Sequence, residues 1–265
     1  MLSYVHGASA TPLIGSTIGA HFTQAAQRWA GRPALVVRQQ GIRWSYGELL
    51  GHVENVAANL LALGLKPGDR VGIWSPNNSE WVLAQYATAM AGLVLVNINP
   101  AYRLSELEYA LNKVGCVALI TATRFKTSDY VGMIQALGAE KLPQLRHRIQ
   151  IGPETAQGFT NFAELMRPAD TAPMRQAAKL LQADDPINIQ FTSGTTGAPK
   201  GATLTHHNIL NNGFFVGETM RLTERDSICI PVPLYHCFGM VLGNMACTTH
   251  AVSYTHLTLP TKRIV

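Results

Sequence analysis

The sequence predicts an α/β fold in which mostly parallel sheets are covered by helices on both faces. Strand-like and helix-like segments alternate from about residue 33 to residue 123. The strand-like segments are short apolar runs, which is typical of strands buried on both faces of a parallel sheet. Hydrophobic residues make up 47% and charged residues 14% of the 265 residues, which is the composition of a packed globular protein.

The first predicted elements are a short strand pair and a long helix. Residues 34–37 and 42–44 are predicted strands separated by a short polar turn. Ser45 and Glu48 have the spacing of a capping box, in which each side chain accepts a free N–H group at a helix start. Apolar residues then recur at helical spacing, so the pattern predicts a helix that begins after Ser45 and ends at Gly64.

Strands and helices continue to alternate along the chain. Ser105 and Glu108 have capping-box spacing and predict a second helix start. Further strands are predicted at residues 70–74, 93–98, 116–121, 146–151, 187–190 and 202–204. Further helices are predicted at residues 80–91, 105–115, 162–166 and 206–220, the last capped by Thr205. The polar residues 182–186 are predicted to form a linker, which places a subdomain boundary near residue 185.

A run rich in glycine and hydroxyl residues separates the last two predicted strands. Glycines let backbone N–H groups approach a polyphosphate closely, and hydroxyl groups add further hydrogen bonds. A lysine neutralises charge on the outer phosphates. The residues with these properties are Thr192, Ser193, Gly194, Thr195, Thr196, Gly197 and Lys200. The pattern therefore predicts a phosphate-binding loop that joins two strands.

The same run does not match the P-loop of nucleotide hydrolases. A P-loop has its lysine directly after the second glycine, with Ser or Thr next. Here two residues separate Gly197 from Lys200, and Gly201 follows the lysine. The segment that follows is a predicted strand, whereas a P-loop opens a helix. A P-loop hydrolase is therefore the weakest of the alternative functions.

Several motifs are similar to those of the AMP-forming adenylating enzymes, the family of acyl-CoA synthetases, adenylation domains and luciferases. The loop resembles the family's phosphate-binding signature, and Pro233–Gly239 resembles its next signature. Upstream segments that fit the family's N-terminal pattern are residues 44–49, 66–71 and 96–100. The resemblance covers about residues 20–250. Residues 97–103 and 234–237 are most similar to the medium- to long-chain fatty acyl-CoA synthetase branch.

The resemblance implies a two-step reaction with ATP, Mg²⁺ and coenzyme A. A carboxylate attacks the α-phosphate of ATP to give an acyl-adenylate and pyrophosphate, and the thiol of coenzyme A then displaces AMP. The seven loop residues are expected to hold the β- and γ-phosphates, with Ser193 or Thr195 also reaching the Mg²⁺. The catalytic candidate is His236, which would border the acyl carboxylate and the nucleotide. Either the acyl pocket or the core is expected to contain Tyr235, Phe238 and Met240.

The resemblance also implies that the chain is the N-terminal part of the family's large domain. The sequence contains no Tyr-Gly-x-Thr-Glu segment and no Thr-Gly-Asp segment, and it lacks the small C-terminal domain with its catalytic lysine. The expected organisation is an N-terminal α/β subdomain at 1–185, the start of the ATP-binding subdomain at 186–250, and a tail at 251–265. The tail has no family counterpart and is interpreted as an artefact. Such a fragment is expected to fold incompletely, to bind ATP poorly and to have no ligase activity alone.

Two alternatives remain open beside a fatty acid–CoA ligase. One is a fragment of an amino-acid adenylation domain, which would use the same loop for ATP. The other is a non-catalytic nucleotide-binding module. The acyl branch is preferred because of residues 99–102 together with Tyr235 and His236.

Charge and hydropathy restrict the partners and the location. Lys+Arg number 21 against 16 Asp+Glu, which gives +5 without a basic run, so charge does not indicate nucleic-acid binding. The longest apolar stretch, residues 87–96, is too short to span a bilayer. The first basic residue is Arg28, so no secretory signal is predicted. We expect a soluble cytoplasmic protein whose partners are the small-molecule substrates fatty acid, ATP and coenzyme A; the sequence does not indicate its oligomeric state.

The four cysteines and one pair of adjacent histidines are expected to have structural roles. The four cysteines form no CxxC pair, so buried free thiols are expected at Cys116, Cys229, Cys237 and Cys247. His206 and His207 stand at a predicted helix start and are expected to be capping or surface residues.

Overall fold

The computed structural model describes residues 10–192 and 198–256, and their helices and strands follow the predicted alternation closely. The α-helices are α1 (Ile18–Arg28), α2 (Tyr46–Ala62), α3 (Ser79–Ala91), α4 (Leu104–Val114), α5 (Tyr130–Lys141), α6 (Phe162–Leu165), α7 (Ala172–Ala178), α8 (His206–Met220) and α9 (Ala246–Thr249). The strands are β1 (Pro33–Val37), β2 (Ile42–Ser45), β3 (Arg70–Trp74), β4 (Val94–Asn97), β5 (Cys116–Ala122), β6 (Arg124–Phe125), β7 (Ser128–Asp129), β8 (His147–Ile151), β9 (Thr160–Asn161), β10 (Pro186–Phe191), β11 (Gly201–Thr205), β12 (Ser227–Ile230) and β13 (Ser253–His256). A 3₁₀ turn covers Arg38–Gln40, and a π-helix covers Phe238–Met245.

The larger sheet has the strand order β11-β10-β4-β3-β5-β8-β9. All of its neighbouring strands run parallel except β10 and β11, which form an antiparallel hairpin. Because parallel strands end at the same edge of a sheet, the loops after β3, β4 and β10 converge there. This convergence places the candidate functional site.

Helices cover both faces of this sheet, and each face has its own apolar core. On one face Ile73 and Leu95 pack with residues of α1, α2 and α3. On the other face Trp74, Val96 and Leu119 pack with residues of α4 and α5. Successive strand residues therefore enter opposite cores, which is why their sequences are continuously apolar. The predicted fold class of mostly parallel sheets with helices is confirmed.

The smaller sheet joins the two ends of the described chain. Its order is β12-β13-β1-β2, with β13 parallel to both of its neighbours. The strand β13 lies in the segment that was expected to have no family counterpart. Ala251 precedes it with a φ of 55°, a left-handed conformation that favours glycine.

The predicted subdomain boundary near residue 185 does not coincide with a boundary between the sheets. Strand β10 begins at Pro186 and pairs with β4, so the larger sheet contains strands from both sides of residue 185. The smaller sheet does so as well, because β13 pairs with β1. The division into subdomains at 185 and 250 stays a prediction.

Most helix starts follow the predicted caps, and one differs. The Ser45–Glu48 capping box is present, with Ser45 N donating to Glu48 Oε2 at 2.8 Å and Glu48 N to Ser45 Oγ at 3.2 Å. Helix α4 was predicted to begin at Ser105 with Glu108. It begins one residue earlier, and the backbone N–H of Arg103 donates to Glu106 Oε2 at 2.7 Å. The box at Ser105 was a wrong prediction.

The prediction for His206 is also corrected. Its side chain is fully buried, and Nδ1 accepts a hydrogen bond from the backbone N–H of Ile18 at 3.2 Å. His206 therefore satisfies a free N–H group at the start of α1, although it belongs to α8 itself. Burial lowers the pKa of His206 to about 4, partly opposed by Asp185, so the ring is neutral at pH 7.

The expectation of buried thiols holds for two of the four cysteines. Cys116 and Cys247 are buried, and burial raises the pKa of each thiol to about 12. Cys237 is half-buried, and Cys229 on β12 is exposed because it lies on the outward side of that strand. All four are free.

Candidate active site

The hairpin β10–β11 presents the glycine-rich run at the convergent edge of the larger sheet. Phe191 pairs with Gly201, and the N–H of Thr192 donates to the carbonyl of Lys200 at 2.9 Å. The predicted loop therefore begins directly after the last rung of the hairpin. Tyr109 of α4 donates through Oη to the carbonyl of Pro199 at 3.1 Å, which fixes the returning side of the loop.

The second wall is the stretch Pro233–Phe238, called the His236 segment below. It follows β12 and is attached to the loop after β3 through Asn77. The amide Nδ2 of Asn77 donates to the carbonyl of Val232 at 2.9 Å, and its Oδ1 accepts the N–H of Leu234 at 2.8 Å. Asn77 thus binds the backbone on both sides of Pro233, and it does so from 155 residues earlier in the chain.

The His236 segment turns directly into the π-helix. The carbonyl of His236 accepts the N–H groups of Gly239 at 3.0 Å and Met240 at 3.1 Å. A Cβ at position 239 would lie 2.4 Å from the carbonyl oxygen of Pro233, so only glycine permits this close approach. π-Helical turns are uncommon and are frequently found at functional sites.

The hydrogen bonds of His236 determine its tautomer. Its Nδ1 accepts the backbone N–H of Phe238 at 3.2 Å, and the Sγ of Cys237 lies 3.6 Å from the same atom. Because an acceptor nitrogen carries no proton, the neutral ring has its proton on Nε2. The side chain is exposed, so Nε2 is a hydrogen-bond donor available to a ligand.

A cavity of about 840 Å³ joins the hairpin to the His236 segment. Thr192 and Pro199 line it from the hairpin, and Tyr235 and His236 line it from the opposite wall. The sequence analysis therefore predicted two sides of one cavity. Its remaining wall includes apolar side chains of β11, α8 and the π-helix, namely Leu204, Ile209, Val241 and Leu242.

The predicted site residues have different outcomes. Thr192 and His236 line the cavity, whereas Lys200 contributes its backbone to the hairpin and has an exposed side chain. The other predicted phosphate-binding residues lie outside the described residues; they are Ser193, Gly194, Thr195, Thr196 and Gly197. Their roles stay predictions.

Tyr235, Phe238 and Met240 were expected in the acyl pocket or the core, and of these Tyr235 lines the cavity. Phe238 is 55% exposed and does not line the cavity, and Met240 is buried in the core. Val241 and Leu242 line it instead. Sequence reasoning missed them because the π-helix rotates residues to faces that α-helical spacing does not predict.

The loop after β4 forms a further part of the wall, through Asn99, Tyr102 and Glu106. Two aromatic side chains hold the backbone of this loop: Trp74 Nε1 donates to the carbonyl of Asn99 at 3.1 Å, and Tyr130 Oη donates to the carbonyl of Pro100. The rings of those two aromatic residues stack with centroids 3.6 Å apart. The sequence marked this loop only through its resemblance to the family.

The described residues define an α/β protein in which a strand–loop–strand hairpin faces a histidine-bearing segment across a cavity at the carboxyl edge of a parallel sheet. The model of the family described as "AMP-binding enzyme" matches residues 22–260. The chain belongs to this family. The match includes residues 251–260 of the segment that was expected to lack a counterpart.

Curated relatives agree with this assignment. The medium-chain acyl-CoA ligase ACSF2, mitochondrial, of Danio rerio is 46% identical over 260 residues, which cover 92% of this chain and 43% of that protein. The Mus musculus protein of the same name is 40% identical, covering 95% of this chain and 44% of that one. A putative acyl-CoA synthetase, YngI, of Bacillus subtilis is 37% identical and covers 89% and 46% respectively. The chain spans less than half the length of these relatives.

Solved structures share the fold. The apo structure of MbtA from Mycobacterium smegmatis superposes with a TM-score of 0.80 at 27% identity, covering 94% of this chain and 45% of that one. The long-chain-fatty-acid-CoA ligase FadD1 from Archaeoglobus fulgidus gives 0.80 at 22% identity, covering 96% and 50%, and supports the fold alone.

In residues 10–192 and 198–256, no helix is both long and apolar enough to cross a membrane. Within the same residues, no group of three or more His, Cys, Asp or Glu side chains is placed to hold a metal ion.

Proposed function

We propose that the chain forms the nucleotide-phosphate and carboxylate sites of an enzyme that activates a fatty acid with ATP and transfers the acyl group to coenzyme A. The observation that carries this proposal is the shared cavity, which joins Thr192 at the start of the glycine-rich loop to His236. Membership of the AMP-binding enzyme family supports the adenylation step. The names of the curated relatives, which are acyl-CoA ligases, support the acid and thiol substrates.

In the proposed first step, a carboxylate oxygen attacks the α-phosphorus of ATP, the bond to the bridging oxygen breaks, and pyrophosphate leaves. The glycine-rich loop binds the leaving β- and γ-phosphates through its N–H and hydroxyl groups, with Lys200 neutralising their charge. His236 donates from Nε2 to an oxygen of the carboxylate or of the α-phosphate, which orients the reactants for in-line attack.

In the proposed second step, the thiolate of coenzyme A attacks the acyl carbonyl carbon and AMP leaves with the electron pair of the broken C–O bond. No covalent enzyme intermediate is required, so the protein contributes positioning and charge stabilisation. In this proposal the Nε2 proton of His236 stabilises negative charge on the carbonyl oxygen, because the carboxylate and the carbonyl occupy the same place in turn.

The proposed Mg²⁺ accompanies ATP. When bound, it neutralises charge on the phosphates and polarises them for attack. The described residues offer no carboxylate cluster, whereas hydroxyl oxygens beside a polyphosphate are the hard donors that Mg²⁺ prefers. This donor chemistry fits the proposed contribution of Ser193 or Thr195, with the remaining ligands from phosphate and water.

The character of the cavity favours a fatty acid over an amino acid. Its far wall offers the apolar side chains of Leu204, Ile209, Val241 and Leu242 to an alkyl chain, beside the amides of Asn208 and Asn212. An amino acid needs an acidic partner for its ammonium group, and the acidic side chain that lines the cavity, Glu106, already accepts the N–H of Arg103 through Oε2. An amino-acid adenylation domain therefore stays the second candidate, and a non-catalytic nucleotide-binding module the third.

Ligand-observed NMR on the purified chain tests the proposal. Saturation transfer from the protein to decanoate and to ATP·Mg²⁺ is expected, with His236→Ala reducing the decanoate signal and Lys200→Ala the ATP signal. His207→Ala, next to the helix start and away from the His236 segment, is the matched histidine control. Transfer to leucine but not to decanoate would favour the amino-acid candidate, and transfer to ATP alone the nucleotide-binding module.

Several expectations stay predictions. The absence of turnover by this chain alone is tested by mass spectrometry of decanoyl-adenylate after incubation with ATP, Mg²⁺ and decanoate, and weak ATP binding by titrating ATP·Mg²⁺ in the NMR experiment. A cytoplasmic location is also untested, because the word "mitochondrial" in the names of relatives refers to those proteins.

A further inference from the structure

A line of buried asparagine side chains connects the hairpin to the His236 segment. We propose that Asn188 and Asn97 form a hydrogen-bonded relay that fixes the His236 segment relative to the β10–β11 hairpin, which makes Asn97 a positioning residue for the proposed reaction. This inference rests on the proposed function for its catalytic meaning, whereas the relay itself is a property of the fold and is measurable without substrate.

The relay begins at Asn188 in β10, whose side chain is 2% exposed. Its Nδ2 donates to the carbonyl of Leu95 at 2.9 Å and to Oδ1 of Asn97 at 2.9 Å. Because a carbonyl only accepts, the first bond determines which atom of the Asn188 amide is the nitrogen. The second bond then requires that Asn97 presents its oxygen to Asn188.

Asn97, the last residue of β4, completes the connection. It is also 2% exposed, and with its oxygen facing Asn188 its Nδ2 points to the opposite wall. That nitrogen donates to the carbonyl of Tyr235 at 3.0 Å and lies 3.5 Å from Sδ of Met240. One amide therefore contacts residues on both sides of His236. Oδ1 of Asn188 is buried without a hydrogen-bond partner among the described residues, so the three bonds made by the two amide nitrogens carry the connection. Loss of such a buried bond is costly because it leaves its partner unpaired.

The other end of the relay lies in the β10–β11 hairpin. Asn188 is on β10, which ends at Phe191 directly before Thr192, so a shift of the hairpin moves the Asn188 amide with it. The proposed reaction needs the outgoing phosphates and the carboxylate in line, and misplacement by about 1 Å lowers such rates by about 100-fold. Asn97 is placed to maintain that spacing although it lines neither the loop nor the cavity.

The relay is distinct from the clamp made by Asn77. Asn77 binds Val232 and Leu234 from the loop after β3, through bonds that include neither Asn97 nor Asn188. The His236 segment therefore has two independent attachments, and loss of one loosens it without releasing it. A substitution at Asn188 affects the segment only if the relay transmits its effect, because Asn188 has no hydrogen bond to that segment.

Amide hydrogen exchange followed by NMR on the full chain tests the relay. The probes are the bonded N–H groups of Phe238, Gly239 and Met240. We expect Asn97→Ala and Asn188→Ala each to raise their exchange about tenfold, as the loss of a buried hydrogen bond does. The double variant is expected to exchange no faster than Asn97→Ala alone, because members of one network are not additive.

Two controls separate positioning from general destabilisation. Asn59→Ala removes a comparable amide that donates to the carbonyls of Leu165 and Arg167 at 2.9 Å, far along the chain, and should leave the three probe amides unchanged. The imidazole proton signals of His236 should shift in Asn188→Ala and not in Asn59→Ala. Asn97→Ser and Asn188→Ser replace the alanine variants if either of those fails to fold.

The relay is refuted if Asn188→Ala leaves the exchange of the probe amides at its original rate. It is equally refuted if the effects of the two single variants add in the double variant, or if both raise exchange uniformly across the buried strands. Failure of the proposed function would instead be seen as absent decanoate binding by the unsubstituted chain, a signal that this experiment does not use.

Discussion

Gly239 shows how one residue controls the geometry of the candidate site. Its N–H binds the carbonyl of His236, while its missing Cβ leaves room for the carbonyl of Pro233. The sequence motif contains this glycine, but its reason is a contact across the turn of the His236 segment. The requirement for glycine at position 239 therefore follows from the turn of the His236 segment, which brings Pro233 close to it.

Gly239→Ala is expected to displace the His236 segment. The added Cβ would lie 2.4 Å from the Pro233 oxygen, and relief of such overpacking costs about 1–3 kcal/mol. Urea unfolding and decanoate binding measure the two effects. Gly51→Ala is the control, because no atom lies within 4 Å of a Cβ at that exposed position of α2, and it should stabilise by about 1 kcal/mol. Unchanged stability and binding in Gly239→Ala would contradict the close approach.

His206 is expected to make stability depend on pH. Burial lowers its pKa to about 4, so protonation favours the unfolded chain, where the ordinary pKa is 6.5. Its contribution is complete above pH 6.5 and is lost as pH falls towards 4; between pH 7.5 and 5 the loss is about 2 kcal/mol.

The variant His206→Asn isolates this contribution. Its Oδ1 can still accept the N–H of Ile18, while its side chain does not titrate. We measure the free energy of unfolding with urea at pH 7.5 and at pH 5. Its decrease between these two pH values should be smaller in the variant than in the unsubstituted protein by about 2 kcal/mol. The pKa of His256 is also lowered to about 4 by burial, but that residue is present in both proteins and cancels in the comparison. Equal pH dependence in the two proteins would show that His206 is accessible to protons.

At the scale of elements, helix α4 shows where a local pattern is ambiguous. Ser105 and Glu108 have capping-box spacing, but the chain uses an earlier acid, Glu106, which accepts the N–H of Arg103. The reason is tertiary: the preceding loop is held by Trp74 and Tyr130, and Tyr102 N donates to the carbonyl of Asn99 at 3.0 Å. The helix therefore starts as soon as that turn is complete.

Stability measurements test whether Glu106 or Ser105 caps the start of α4. Glu106→Ala removes the acceptor of the Arg103 N–H and should destabilise the protein by about 1 kcal/mol. Ser105→Ala, at an exposed position inside the first turn, should change stability by less than about 0.5 kcal/mol. Guanidinium unfolding of both variants provides the comparison, and a larger effect for Ser105→Ala would restore the cap predicted from the sequence.

At the scale of the whole molecule, the ends of the described chain are tied together. Tyr46 at the start of α2 donates through Oη to the carbonyl of Val252 at 2.8 Å, just before β13. Strand β13 itself lies between β1 and β12. These contacts bury the region around Cys247, whereas β12 at the sheet edge leaves Cys229 exposed.

Thiol reactivity checks this arrangement. Cys229 should react rapidly with Ellman's reagent in the native chain and the half-buried Cys237 more slowly. Cys116 and Cys247, whose pKa values burial raises to about 12, should react only after unfolding. Absorbance at the thiolate product's wavelength gives the rates, and Cys229→Ser should remove the fast phase. If all four thiols reacted at one rate in the native chain, the burial of Cys116 and Cys247 would be contradicted.

The predictable part of the fold is the part that local sequence encodes. The alternation of strands and helices, the Ser45–Glu48 cap and the β10–β11 hairpin follow from periodicity and turn chemistry within a few residues. The His236 segment and Thr192 were assigned to a common function, and the structure places them on one cavity. The Val241 and Leu242 wall was not predicted, because π-helical geometry has no simple sequence period.

The α/β class, the hairpin that carries the glycine-rich run and the resemblance to the family all follow from local sequence patterns. Three contacts are visible only in the folded chain: Asn97 joins Asn188 to Tyr235, His206 caps α1, and β13 pairs with β1. The residues that make these contacts lie far apart along the chain. Caps, turns and periodicity depend on neighbours within one or two turns, whereas these contacts join residues that only packing of the two sheets and their helices brings together.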